Sequence, residues 1–313
     1  MGRWRQSARW GLALAAILAA LWTLRGLLPK LSPDQLATAW HKIPLGAMGL
    51  SLTATATSFA CLAGYEWFAS QQVAPGRIPV LTALRVGAIT HAISNTLGFH
   101  ALTASVLRYH LYRPQALGIA DAGRLMAMVA ACLAAGVMAT MVLALAWLKA
   151  GAPGLAIAMG LLLLLAWGLS TATTNVRFSS AWPRINPARM VGVLMVGVLE
   201  TAAALAALYI LLPDNVATTP VQFVPIFIGA TLLGIISHSP GGVGVFEAAI
   251  LAVLPGHPAE LLASLLCYRV IYNLLPFAAS SMLAIVALHV QRKDSVRRRI
   301  PQDGSLLVEV QTR

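Results

Sequence analysis

The sequence predicts an all-α polytopic membrane protein, and three observations carry that prediction. Apolar residues make up 58% of the 313-residue chain and charged residues only 10%, with several apolar runs near or beyond the roughly 20 residues a spanning helix needs. The formal charge of +12 sits at segment ends and in short loops. That placement fits the positive-inside rule and attraction to anionic lipid, and speaks against nucleic acid as a partner. Finally, two apolar stretches are broken in their middles by residues that do not belong in a simple span.

Taken in chain order, the first element is expected at about 10–29. Arg3, Arg5 and Arg9 resemble the basic start of a signal peptide, but Gly11–Leu28 is too long for a typical signal core and lacks a clear cleavage site. A small interfacial helix is expected at about 34–42. Further spanning helices are expected at about 43–69, 122–149, 153–173, 189–212 and 259–290. Together they form one membrane domain over 1–290, followed by a basic cytoplasmic tail over 291–313.

The broken stretches cover about 78–112 and 221–255. The first is interrupted at His91-Ala92-Ile93-Ser94-Asn95-Thr96-Leu97-Gly98-Phe99-His100, and the second at Ser237-His238-Ser239-Pro240-Gly241-Gly242-Val243-Gly244-Val245-Phe246-Glu247. Pro and Gly break helices, and broken backbone survives at membrane depth only when enclosed by protein or beside a hydrated cavity. The arginines decide whether these stretches cross. If both turn back, the cytoplasm holds Arg77, Arg85, Arg108, Arg113, Arg124, Arg177, Arg184, Arg189 and both termini, leaving Lys30, Lys42 and Lys149 outside. If both cross, six of those arginines move outside, from Arg108 to Arg189. The Lys/Arg bias therefore predicts about six spanning helices plus two opposed re-entrant helical hairpins. Opposed hairpins suggest an inverted repeat, an architecture common among translocators.

Ionisable side chains inside apolar segments mark the candidate site. Arg108, Glu200, Glu247 and Arg269 facing lipid would cost on the order of 10–14 kcal/mol on insertion scales, so they are expected to face the interior. Ser105, Arg108 and Tyr112 share one helical stripe, as do Arg269, Tyr272, Asn273 and Pro276, whose proline should bend the last helix. One arginine neutralising Glu200 or Glu247 is the structural reading of this set. For Arg108 and Glu247, beside broken backbone, ligand handling is favoured. Gly241, Gly242 and Gly244 precede a helix start, where backbone amides attract anions such as phosphate. Glu247 could instead accept an ammonium group or cap those amides. His91, His100, His110 and His238 do not match zinc-ligand spacing, and Cys61, Cys132 and Cys267 lie in apolar runs, so neither metal nor cofactor is expected. Ser237-His238-Ser239 does not suit a hydrolase, because adjacent residues rarely point at one another.

Several of these motifs, in order along roughly 34–290, resemble the membrane flippase domain of the bacterial lysylphosphatidylglycerol synthase/flippase (multiple peptide resistance factor) family. Thr57-Ser58-Phe59 and Gly64-Tyr65-Glu66-Trp67-Phe68-Ala69 look like its second helix. Ser94-Asn95-Thr96-Leu97-Gly98-Phe99 and Leu107-Arg108-Tyr109-His110-Leu111-Tyr112 are similar to its first-hairpin motifs. Leu199-Glu200-Thr201, Leu211-Leu212-Pro213, Ser239 through Glu247, and Tyr268-Arg269-Val270-Ile271-Tyr272 with Leu275-Pro276 resemble the remainder. Glu66 and Glu200 stand where that family usually has Asp, and His110 where Arg is common. Thr103-Ala104-Ser105 stands where glycines are frequent.

The resemblance implies re-entrant helices around a lipid-headgroup cavity in the bacterial inner membrane, with both termini cytoplasmic. It implies a lipid translocator rather than an enzyme, moving phospholipid or aminoacylated phosphatidylglycerol between leaflets. Headgroup binding falls to Arg108, Tyr112, Glu200, Gly241, Gly242, Gly244, Glu247, Arg269 and Tyr272, supported by Glu66, Asn95, Ser105, His238 and Asn273. The family's aminoacyl-transferase domain is not in the sequence, so a separate lipid synthase is an expected partner. The alternative reading is a non-catalytic membrane subunit or scaffold for such an enzyme. Oligomer formation is compatible with either.

Overall fold

A computed structural model describes residues 33–97, 100–175, 187–216, 218–237 and 239–285. The expected helix at 10–29, the tail at 291–313 and His238 lie outside these residues. Among the described residues every regular element is helical. In order these are α1 (Pro33–His41), α2 (Leu45–Val73), α3 (Val80–Leu97), α4 (His100–Leu111), α5 (Ile119–Asn175), α6 (Pro187–Tyr209), α7 (Pro220–Ile236), α8 (Val245–Val253) and α9 (Pro258–Ile285). Four of them, α2, α5, α6 and α9, are long and apolar enough to cross a membrane. Their outward faces carry Leu50, Leu52, Met138, Leu161, Leu164, Met195, Met282 and Ile285. Such a surface suits lipid as its solvent.

The long α5 is two helices. Gly151 adopts φ 60° and ψ −143°, outside the helical region. A Cβ added at Gly154 would fall 2.5 Å from the carbonyl oxygen of Ala146, whereas eight residues of straight helix rise about 12 Å. The chain therefore doubles back at Gly151, with Val142 and Ala146 on one arm facing Ile157, Ala158 and Leu161 on the other. Only glycine takes such a backbone at low cost, and Pro153 suits the first turn of the returning arm.

The two interrupted stretches also fold back on themselves. α3 packs on α4, and α7 packs on α8. By helical rise α4 is about 18 Å long and α8 about 14 Å, against a hydrocarbon core of about 30 Å. The residues between α7 and α8 form a 3-10 turn at Pro240–Gly242, in which Gly241 takes φ 59°. The tips of the two hairpins touch: a Cβ at Gly241 would sit 3.2 Å from the carbonyl oxygen of Thr96 at the end of α3.

Apolar side chains gather into two cores. One joins α2, α3, α4 and the first arm of α5 through Leu62, Tyr65, Ile89, Leu111, Leu125 and Val129. The other joins α6, α7, α8 and α9 through Leu208, Phe223, Phe227, Ile250, Leu265 and Tyr268. Phe59 of α2 packs against both. Within α9, Arg269–Leu274 forms a π turn whose Leu275 N–H donates to Val270 O, five residues back. Pro276 explains it. Proline cannot donate to the carbonyl of Tyr272 and its ring crowds that oxygen, so the helix widens just upstream. The expected bend is thus a change of helical pitch around the stripe that carries Arg269, Tyr272 and Asn273.

Candidate functional site

Between the hairpin tips and the π turn lies a cavity of about 270 Å³. Its wall takes His91 and Asn95 from α3, Glu200 and Thr201 from α6, and Gly241 and Gly242 from the glycine loop. Arg269, Tyr272 and Asn273 complete it from α9. Seven of the residues proposed from sequence for the site therefore meet here: Asn95, Glu200, Gly241, Gly242, Arg269, Tyr272 and Asn273. Apolar and aromatic groups fill the gaps between them, including Phe227, Phe246 and Tyr268. Tyr268 stacks on Tyr272 at 5.0 Å and on Phe246 at 6.0 Å between ring centroids.

Arg269 is fixed on three sides. Its Nε donates to Glu247 Oε1 at 2.6 Å, its Nη1 donates to the Gly241 carbonyl, and its guanidinium lies 5.0 Å from the Phe246 ring centroid. The remaining nitrogen, Nη2, is buried without a hydrogen-bond partner. Two other cavity residues have the same deficit, at Asn273 Oδ1 and His91 Nε2. Buried polar atoms are normally satisfied, because leaving one unpaired costs about 1–3 kcal/mol. Three such atoms belong to residues around one cavity, each of them enclosed by protein.

Glu200 is buried at 7% exposure and has only hydroxyl partners. Ser58 Oγ donates to its Oε1 at 3.0 Å, and Thr201 Oγ1 donates to Oε2 at 3.3 Å. The Tyr272 hydroxyl is 2.8 Å from Ser58 Oγ, which makes a chain from the cavity wall to the carboxylate. No cation pairs with Glu200 among the described residues.

Three expectations need correction. Arg108 does not line the cavity. It is fully buried in the first core, where Nε donates to both oxygens of Glu66 at 3.0 Å and Nη2 donates to Oε2 at 2.6 Å. Its Nη1 rests on Met126 Sδ, and the Tyr112 hydroxyl donates to Glu66 Oε1 at 3.1 Å. Glu66, Arg108 and Tyr112 thus close on themselves, and Gly87 lets α3 come close enough to seal them: a Cβ there would lie 2.6 Å from Glu66 Cβ. Ser105 shares their stripe but turns its hydroxyl to the Ala101 carbonyl of its own helix.

Three of the glycine-loop amides are likewise taken. Gly242 N–H donates to Ser239 O, Val243 N–H to Pro240 O, and Gly244 N–H to Glu247 Oε2 at 2.7 Å. These three are not free to form a nest for an anion. Glu247, in turn, is no free acceptor for an ammonium group: one oxygen caps the start of α8 and the other holds Arg269. Its work is to orient the guanidinium.

No protein-family model matches the chain. A protein of Synechocystis sp. named "Uncharacterized protein slr0712" is 27% identical over 296 aligned residues, covering 87% of this chain and 90% of its own length. The similarity thus extends across nearly all of both proteins and brings no activity with it.

Ser58 and Thr201 were missed as site residues. A signal for Ser58 exists: Ser51, Thr55 and Ser58 repeat at helical spacing on one face of an otherwise apolar α2, and all three are buried. Ser51 Oγ donates to Ala207 O of α6 at 2.6 Å, so the stripe marks the face that α2 turns to α6. Nothing in the spacing names Glu200 as its target, since 142 residues separate it from Ser58.

Proposed function

We propose that this protein is a lipid translocator of the bacterial inner membrane, in which the cavity between two opposed re-entrant hairpins takes up a phospholipid headgroup. The observation that carries the reading is a cavity walled largely by apolar and aromatic side chains, on whose lining residues Arg269, Asn273 and His91 one polar atom each (Nη2, Oδ1 and Nε2) is buried without a hydrogen-bond partner among the described residues. An arginine held by Glu247 and Gly241 with the N–H groups of Nη2 left over suits a phosphate oxygen. Asn273 Oδ1 suits a hydroxyl or ammonium hydrogen of the same headgroup. The apolar remainder of the wall suits the glycerol and the start of the acyl chains.

The topology proposed with it has about six spanning helices, with both termini cytoplasmic. The doubling back at Gly151 supports counting α5 twice, and the shortness of α4 and α8 supports hairpins that enter and return. Each hairpin belongs to one of the two cores and each core buries one arginine–glutamate pair, which favours an inverted repeat. Rocking of these halves would open the cavity to one leaflet and then the other. Aminoacylated phosphatidylglycerol is the cargo suggested by the family resemblance. A separate synthase would supply it.

Reconstitution tests this directly. Purified protein in liposomes with leaflet-specific fluorescent phosphatidylglycerol should speed its movement between leaflets, and Arg269→Lys should slow that movement roughly tenfold or more. Lysine keeps the charge but lacks the planar fork whose separate nitrogens hold Glu247 and Gly241 and leave a third free. Leaflet distribution that stays unchanged while the lipid is chemically altered would overturn the translocator reading in favour of an enzyme. Movement that begins only when a synthase is added would favour the scaffold.

A further inference from the structure

Three carboxylates are buried among the described residues: Glu66, Glu200 and Glu247. Arg108 neutralises the first and Arg269 the last. Glu200 is left over, so a fully ionised interior carries one uncompensated negative charge at a site lining the cavity. An unpaired charge at that depth is costly and normally acquires a counter-ion or a proton.

The partners of Glu200 favour the proton. A guanidinium locks a carboxylate in its ionised form, because it can only donate. Hydroxyls can donate or accept by rotating about their C–O bonds. With Glu200 ionised, Ser58 and Thr201 donate to it and Tyr272 donates to Ser58. With Glu200 protonated, its O–H donates to Ser58 Oγ, which can then donate to Tyr272 Oη. The same three contacts serve both states without moving a heavy atom. Titratable side chains within electrostatic reach of Glu200 are Cys61 and Tyr65 on α2 and Tyr268 and Tyr272 on α9, all uncharged near neutral pH. Across the cavity stands His91 of α3, while the acids of α2 and α9 are paired elsewhere, Glu66 with Arg108, and Glu260 with Lys42. α7 brings none, and the guanidinium of Arg269 is turned to Glu247.

We infer that Glu200 is a proton-binding site, loaded from the cavity directly or through Tyr272 and Ser58, and that lipid movement is coupled to the movement of this proton. The carboxylate gains the proton from water on the side to which the cavity is open and returns it to water on the other side. No bond other than O–H forms or breaks. This inference rests on the translocator reading, and the experiment separates the two.

Proteoliposomes with and without an imposed pH difference are assayed for the steady-state leaflet ratio of fluorescent phosphatidylglycerol. Coupling of one proton per lipid shifts that ratio by up to about tenfold per pH unit, and a protonophore abolishes the shift. Glu200→Gln, which preserves shape and replaces the titrating oxygen, gives no shift at any gradient. If lipid moves in the unsubstituted protein but its distribution ignores the gradient, coupling is overturned and the translocator stands. If no lipid moves, the translocator reading and the coupling fall together.

The proton site has its own readout. Infrared titration of the protein in lipid nanodiscs from about pH 5 to about pH 9 should reveal a carboxylic-acid C=O band that is lost in Glu200→Gln and returns, shifted, in Glu200→Asp. A band that persists in Glu200→Gln, or none at any pH, overturns proton binding at this residue.

Discussion

Among the described residues two arginine–glutamate pairs lie inside the helix bundle, and what their arginines leave unused separates the two. Around Arg108, Glu66 takes Nε and Nη2 and Met126 takes Nη1, so each nitrogen has a partner, and the side chain is sealed from the cavity. Breaking such a pair from one side strands a buried charge, at a cost of about 3–5 kcal/mol, whereas replacing both members by apolar residues is often neutral. Arg108→Ala is therefore expected to lower thermal stability sharply. Glu66→Met combined with Arg108→Met should recover most of it and restore lipid movement with it, as read by melting in detergent and by the leaflet assay. A double variant that is stable but inert would give the pair a part in transport. The sequence put Arg108 and Arg269 each on a helical stripe, and favoured Arg108, beside broken backbone, for ligand handling. What distinguishes them is which glutamate lies across the helix interface, 42 residues away for Arg108 and 22 for Arg269. That depends on packing and leaves no mark in local spacing.

At the level of elements, the breaks in the two interrupted stretches were legible because Pro and Gly interrupt runs too short to span. The π turn in α9 was only half legible. Pro276 announces a distortion, but whether a helix bends or widens depends on what its neighbours admit. The contact between hairpin tips was not legible, although the residue that makes it was. Gly241 combines φ 59° with an approach of 3.2 Å between its would-be Cβ and Thr96 O. Gly241→Val should therefore push the tips apart and also release the carbonyl that accepts from Arg269 Nη1. We expect a loss of about 1–3 kcal/mol from backbone strain alone, with lipid movement abolished. Thermal melting and the leaflet assay check both, and unchanged movement would mean that the tips need not touch. Gly151 is the complementary case, a φ of 60° that serves only to turn the chain.

On the scale of the molecule, two cores meet along α2, which sends Phe59 to both, Glu66 to one and Ser58 to the other. Its double duty makes it the least apolar of the four candidate spans, with a mean hydropathy of 1.4 against 2.3 for α5 and 2.1 for α6. There is a consequence for biosynthesis. A chain emerging from the ribosome delivers Glu66 to the translocon 42 residues before Arg108. For that interval α2 carries an acid with no arginine, at an insertion cost of about 2.5–3.5 kcal/mol for a charge deep in the bilayer. Fused to a glycosylation reporter, α2 alone should insert poorly, and extending the fusion through Tyr112 should rescue it. Equal insertion of the two fusions would show that the helix needs no help. The ion pair that is inert in the finished protein would then be a timing device during its manufacture, committing α2 to the membrane only once the first hairpin has arrived.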